Sequence, residues 1–306
     1  MLQTNTIKKL ATWHTRWPIR RDTAVLPVPQ PTLQGDVYIT VLHAVERRLP
    51  RRYPKPSQLQ VIIKQLHVRA QVTNQPQDWL ASLYAQAPRA AAAQQQMDQH
   101  PYGYWDKQAR VFELIDFNDT FVATVLAMGQ ADRAKFAIRA KQGCDSICYQ
   151  TRSPLFTAEQ WMAIVRGLTR EIAVYQAARD RGFQAVMPNR TGDAMGIDLQ
   201  VRDPESGRYI NIDVKTPSSF RHRLEELVQQ GRLTEKQLLD ADMRSYAIEH
   251  NGHNGGAVEV VLLCMLPDKF GDFGDFRLLN SEPMRQMLNF LIREHGLSDG
   301  RYGIYH

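Results

Sequence analysis

Residues 197–202 and 209–215 alternate apolar and polar side chains one by one, with Pro204, Ser206 and Gly207 between the two runs. Successive strand side chains point to opposite faces, so a period of two reads as a strand, and the Pro/Ser/Gly cluster reads as a turn. The segment predicts an antiparallel hairpin. Ile197, Leu199 and Val201 share one face of its first strand, and Asp198 and Gln200 the other. In the return strand Ile210, Ile212 and Val214 share one face, and Asn211, Asp213 and Lys215 the other. Pairing Arg202 with Tyr209 places Asp198 opposite Asp213, with Lys215 two residues along on the same side. Like charges opposite each other are destabilising. A divalent cation between them removes the conflict, and magnesium is satisfied by one or two carboxylates plus waters. The bland alternative is a half-exposed strand on which Asp213 pairs with Lys215 and Asp198 is solvated.

The segment before the hairpin predicts a helix. Thr157 and Gln160 fit a capping box, and Trp161, Ile164, Val165, Leu168, Ile172 and Tyr175 follow at helical spacing. Glu171 sits within the apolar stripe Ile164, Leu168, Tyr175, where an acid is costly without a partner. Arg181 and Gly182 stop the helix. A strand at 183–187 and a Gly/Asp-rich loop at 189–196 lead into the hairpin. Beyond it the pattern predicts helices near 219–230 and 234–248, strands at 258–266 and 276–279, and an amphipathic helix at 283–295. His250 and His253 fall in an expected Gly/Asn-rich loop.

The front of the chain differs. Residues 1–150 hold 19 Lys/Arg against 11 Asp/Glu, and residues 151–306 hold 19 against 21. The excess concentrates in residues 1–60, with 10 basic and 3 acidic side chains. Such asymmetry suits a polyanion partner for the front half. Prolines at 18, 27, 29, 31, 50, 54 and 56 forbid long regular elements there, except around 36–48. Arg16, Arg20, Arg21, Arg47, Arg48, Arg51, Arg52 and Lys55 interleave with Trp13, Trp17 and Tyr53. Cations meet phosphates and aromatic faces stack on bases, so these residues are candidate nucleic-acid contacts; a basic arm packed on its own protein is the alternative. Arg221 and Arg223, after the third strand, are candidates of the same kind. Residues 57–98 predict two helices, open to a helix-turn-helix reading, and 109–141 one or two more.

Several classes are excluded or disfavoured. No apolar run is long enough to span a bilayer, and no secretory signal pattern follows Lys8 and Lys9. The chain has no P-loop, nucleotide-binding glycine fingerprint or serine nucleophile elbow. Three cysteines, Cys144, Cys148 and Cys264, do not make a disulfide framework and favour a reducing compartment.

The order Glu171, then Gly196-Ile197-Asp198, then Asp213-Val214-Lys215-Thr216 resembles the PD-(D/E)XK nuclease superfamily, over roughly residues 157–292. Ile197 stands where the family's name has proline, and Asp213 where glutamate is commoner. The resemblance implies an α/β fold with a restriction-endonuclease-like central mixed sheet flanked by helices, preceded here by a basic, mainly helical N-terminal region. It implies catalytic roles for Glu171, Asp198, Asp213 and Lys215, with Asp198, Asp213 and Glu171 at a Mg2+ site that Mn2+ can also fill. The expected organisation is a basic proline-rich arm at 1–56, a helical DNA-binding region at 57–150 and a nuclease domain at 151–306. The expected function is magnesium-dependent endonucleolytic hydrolysis of DNA in restriction or phage defence. A structure-specific repair or recombination nuclease, and an inactive nucleic-acid-binding protein of the same fold, remain alternatives. The expected partner is double-stranded DNA, with a homodimer as an open arrangement; the expected location is the cytoplasm.

Overall fold

A computed structural model describes residues 37–49, 56–99, 107–188, 192, 196–253 and 256–298. Its first part is helical: α1 (Val37–Arg48), α2 (Pro56–Thr73), α3 (Pro76–Gln99), α4 (Lys107–Ala127), α5 (Gln130–Arg133), α6 (Phe136–Thr151) and α7 (Ala158–Asp180). α3 is the central element and packs against α1, α2, α4 and α6. Its buried side includes Leu80, Leu83, Tyr84, Ala87, Ala90 and Ala91. Within the alanine-rich stretch at 90–96, Ala90, Ala91 and Ala93 are packed in the core. Gly143 of α6 is required by this packing: a Cβ there would lie 2.2 Å from the Tyr84 ring. α2 and α3 are joined by a turn in which Asn74 takes φ 50, and Trp79 Nε1 donates to Asn74 Oδ1 at 3.0 Å. With α3 buried along most of its length, residues 57–98 form a hairpin around a core helix. Its exposed side chains are Gln77 and, toward the C-terminal end, Gln95, Gln96, Asp98 and Gln99.

Val41, Val45 and Leu49 of the α1 segment join the same core. Residues 37–49, expected within the arm, thus belong to the helical region. α7 links that region to the rest. Its start is fixed by the capping box between Thr157 and Gln160. Trp161, Leu168 and Ile172 enter the helical core, whereas Ala173, Val174, Ala177 and Ala178 enter the core beneath the sheet. Gly182, at φ 87, turns the chain from α7 into the first strand.

The sheet contains β1 (Gln184–Val186), β2 (Leu199–Arg202), β3 (Tyr209–Lys215), β4 (Tyr246–His253) and β5 (Gly256–Cys264), in the order β1-β2-β3-β5-β4. β1, β2 and β3 are antiparallel neighbours, β3 and β5 run parallel, and β4 closes the edge antiparallel to β5. The architecture is α/β with a mixed sheet between helices. α7 and α11 (Glu282–His295) cover the face bearing Ile210, Ile212 and Val214. α8 (Pro217–Gln229), capped by Thr216, and α9 (Glu235–Arg244), capped by Thr234, lie over the other face through Phe220, Leu224, Leu227 and Ala241. A short helix α10 (Pro267–Phe270) and a small hairpin of β6 (Phe273–Gly274) and β7 (Arg277–Leu278) complete the described residues.

One expected element is different. The helix expected over 234–248 stops at Arg244, where Ser245 turns left-handed at φ 66. Residues 246–253 then form β4, so the expected histidine loop is an edge strand. Tyr246 joins the core under α11, while Ala247 packs on the opposite face with α8 and α9. Neighbouring side chains on opposite faces fit the alternation of a strand, and residues 246–253 pair with β5 along their whole length.

Candidate active site

The hairpin register has Arg202 paired with Tyr209 and Leu199 with Ile212. Asp198 lies one residue before β2. Its N–H donates to Ile212 O at 2.9 Å, and its Oδ2 accepts from the Val214 N–H at 2.6 Å. The side chain is thus fixed against β3, with its carboxyl close enough to interact with that of Asp213. Asp213 is almost wholly buried, and its Oδ1 lies 2.6 Å from Lys215 Nζ. The Lys215 ammonium is thus the direct partner of this buried oxygen, with the Asp198 carboxyl close by.

Burial raises the Asp213 carboxyl above its ordinary range, against the pull of Lys215. Burial would lower the Lys215 ammonium, but Asp213, Asp198 and Glu171 together outweigh it and hold the group above its ordinary value. Lys215 is therefore the fixed positive charge among three acids drawn from α7, the β2 threshold and β3.

Glu171 and Asp198 meet in a cavity of about 50 Å³. Asn118 and Asp119 of α4 line the same cavity, with Leu168 and Ile197 among its apolar walls. Asn118 Oδ1 is buried with no hydrogen-bond partner among the described residues. A space of this size admits a few waters, and a buried orphaned acceptor calls for one. The helical region thus contributes directly to the site, which the sequence pattern did not suggest. The available signal was the pair Asn118-Asp119 inside the apolar run of Leu114, Ile115, Phe117, Phe121 and Val122.

Among the described residues, no group of three or more His, Cys, Asp or Glu side chains is arranged to hold a metal ion. Asp198 and Asp213 nonetheless provide hard oxygen donors, one of them buried beside Lys215. That donor set fits Mg2+, which needs few protein ligands and keeps several waters. Glu171 lines the cavity beside Asp198.

The polar face of the hairpin continues inward. Gln200 Nε2 donates to Asn211 Oδ1 at 3.0 Å, and Asn211 Nδ2 to Glu259 O at 3.0 Å. Further along the sheet Glu249 of β4 is buried and braced by Arg223 and Arg232. Arg223 Nε donates to Glu249 Oε2 at 3.1 Å and its Nη1 to Glu226 Oε2 at 2.9 Å. Arg221 is held by Glu225 and Asp242. Both arginines expected to meet phosphates are thus engaged by acids of their own protein. Arg47 and Arg48 are exposed in the last turn of α1. Arg16, Arg20, Arg21, Arg51, Arg52 and Lys55 lie outside the described residues. Cys144, Cys148 and Cys264 are free and buried, and burial pushes the Cys148 thiol up to about 12, so these are packing residues. No helix among the described residues is long and apolar enough to cross a membrane.

Comparisons with protein-family models, with curated proteins and with solved structures found no match.

Proposed function

We propose that the chain is a magnesium-dependent endonuclease that hydrolyses phosphodiester bonds of double-stranded DNA, as a cytoplasmic restriction or phage-defence nuclease. The observation that carries this reading is the juxtaposition of Asp198, Asp213 and Lys215 at one end of the β2–β3 hairpin. A strand built only for stability has no use for two acids and a lysine gathered in a buried place, because desolvation opposes all three charges.

Asp198 and Asp213 would hold the cation, each fixed by its own backbone setting. A bound magnesium ion supplies Lewis acidity toward a phosphoryl oxygen and acidifies a coordinated water. Lys215 keeps its proton because of the surrounding acids, and places positive charge where negative charge grows on the phosphoryl group. Glu171, with Asn118 and Asp119, orients water in the cavity. The mixed sheet between helix layers suits the superfamily that these residues resemble.

The deciding experiment incubates the protein with supercoiled plasmid, linear duplex and branched DNA, with magnesium or with chelator, and maps the ends. Discrete plasmid fragments formed only with magnesium support the restriction reading. Preference for branched DNA would move the role to repair or recombination. Binding without cutting would leave an inactive module of the same fold.

A further inference from the structure

α7 carries two arginines one turn apart, Arg166 and Arg170, directly before Glu171. Arg166 is exposed and Arg170 half-buried. Among the described residues no carboxylate pairs with either guanidinium. Arg221 and Arg223, by contrast, are each met by two acids. Arg170 Nη1 donates to Arg166 O at 2.5 Å, and its guanidinium lies 5.5 Å from the centre of the Phe273 ring. Its Nε is buried with no acceptor among the described residues. Like charges at this spacing oppose each other on a helix, and burial together with Arg166 pulls the Arg170 guanidinium below its ordinary value.

Position gives the pair meaning. Glu171 lines the cavity with Asp198. Cys264, which lies within the electrostatic reach of Arg170, is the register partner of Lys215 across β3 and β5. The two arginines therefore border the end of the sheet where the acids and Lys215 gather. A simple packing role explains the contact of Arg170 with Phe273. It does not explain an unanswered Nε or a second, exposed arginine that no carboxylate pairs with among the described residues. An anion with several acceptor oxygens answers both, and guanidinium donors match a phosphate in geometry and charge.

We propose that Arg166 and Arg170 form a clamp for one backbone phosphate of the DNA, adjacent to the bond that is cut. The clamp rests on the nuclease reading and adds to it the surface on which the substrate backbone lies.

The test measures affinity for fluorescein-labelled duplex DNA in EDTA across a salt series, beside cleavage with magnesium. The variants are Arg166→Ala/Arg170→Ala, Arg166→Lys/Arg170→Lys and Arg170→Met. The double alanine variant is expected to lower the slope of log affinity against log salt by about one unit, since each phosphate left unneutralised removes about one. The double lysine variant keeps the charges, and is expected to retain the slope and a wild-type melt. Arg170→Met keeps an apolar contact on Phe273 and is expected to show about half of the slope change. An unchanged slope in the double alanine variant, with wild type cutting normally, overturns the clamp and leaves the nuclease reading standing. Wild-type protein that neither binds duplex DNA nor cuts it with magnesium removes both.

Discussion

Lys215 Nζ lies 2.6 Å from Asp213 Oδ1, two residues away on the same face of one strand. Taken alone the pair could be structural. Its surroundings weigh against that: Asp198, a second acid, is pinned beside it by the Val214 N–H, and Asp213 is almost wholly buried. Replacing Asp198, Asp213 or Lys215 by alanine is expected to lower magnesium-dependent cleavage by roughly a hundredfold or more, the scale for losing a group that stabilises developing charge. DNA binding in EDTA should persist. The measurement is plasmid cleavage beside fluorescence anisotropy, with circular dichroism to confirm the fold. Full activity in either aspartate variant would remove the assignment.

The cavity shared by α4 and α7 leads to a second expectation. If Asn118 and Asp119 hold waters beside the cation, Asn118→Leu and Asp119→Asn should weaken the apparent magnesium affinity of cleavage by about tenfold to a hundredfold, the usual effect of removing an outer partner of a metal site. Magnesium titrations of the cleavage rate report this directly. Variants that saturate at the wild-type concentration would make the α4 contribution a matter of packing.

Much of this site was legible because strand and helix periodicities are local. The alternation in 209–215 fixed β3 at its observed bounds, and the Arg202–Tyr209 register followed from the length of the turn. Thr157 and Gln160 marked the start of α7, and so the phase that puts Glu171 toward Asp198. Asn118 and Asp119 were not legible, because their role depends on how α4 packs on α7, a contact between elements far apart in sequence. β4 was missed for a related reason: its pairing partner β5 lies further on, and that pairing is what marks residues 246–253 as a strand. The pairing of Arg223 with Glu249 was hidden by the same error, since Glu249, placed just beyond the expected helix, could not be seen to face α8.

That pairing gives Arg223 a part in holding the buried Glu249. Arg223→Ala leaves the buried Glu249 with Arg232 as its remaining partner, and loss of one side of a buried pair is costly. A stability loss on the order of 3 kcal/mol is expected, a scale typical of breaking such a pair, with little change in the salt dependence of DNA binding. Glu249→Gln should cost less, because a neutral amide tolerates burial better than an unpaired charge. Urea melts and anisotropy separate the two roles. A stable Arg223→Ala protein with a reduced salt slope would return this residue to the DNA interface.

Helix α1 limits how the basic arm is tested. Deleting residues 1–56 would remove Val41, Val45 and Leu49 from the core and damage the fold. A deletion of residues 1–36 leaves α1 in place while removing Lys8, Lys9, Arg16, Arg20 and Arg21. It is expected to weaken duplex binding and to lower the salt slope by about one unit for each phosphate the arm no longer neutralises. An unchanged slope, with an unchanged melt, would mean that the arm serves another purpose.

Asp213 gives the site a signature in stability as well as in activity. Its carboxyl is raised in the folded protein above the ordinary 3.8, chiefly by burial. A raised carboxyl contributes stability that is fully present below the unfolded value and is lost as pH climbs through the folded value. Metal-free wild type should therefore lose stability between those two values and carry a net penalty once Asp213 is ionised. Asp213→Asn removes the titrating group, so this segment of the pH profile should flatten. At about pH 8 in EDTA the variant should be more stable than wild type by about 1 kcal/mol, the scale of opposed like charges in a sheet, and the gap should close as pH falls toward the ordinary carboxylate range. Magnesium should reverse the order. It binds the folded state, so it stabilises wild type increasingly with concentration, while the variant has lost one of the two carboxylates that fit the ion. Lys215 stays protonated throughout this range, because the surrounding acids hold it above its ordinary value of 10.5, and it adds no slope. Thermal melts of both proteins across pH, at fixed ionic strength with EDTA or millimolar magnesium, check each part. A variant that melts below wild type in EDTA at every pH, with no magnesium response in either protein, would reduce Asp213 and Lys215 to an ordinary buried ion pair.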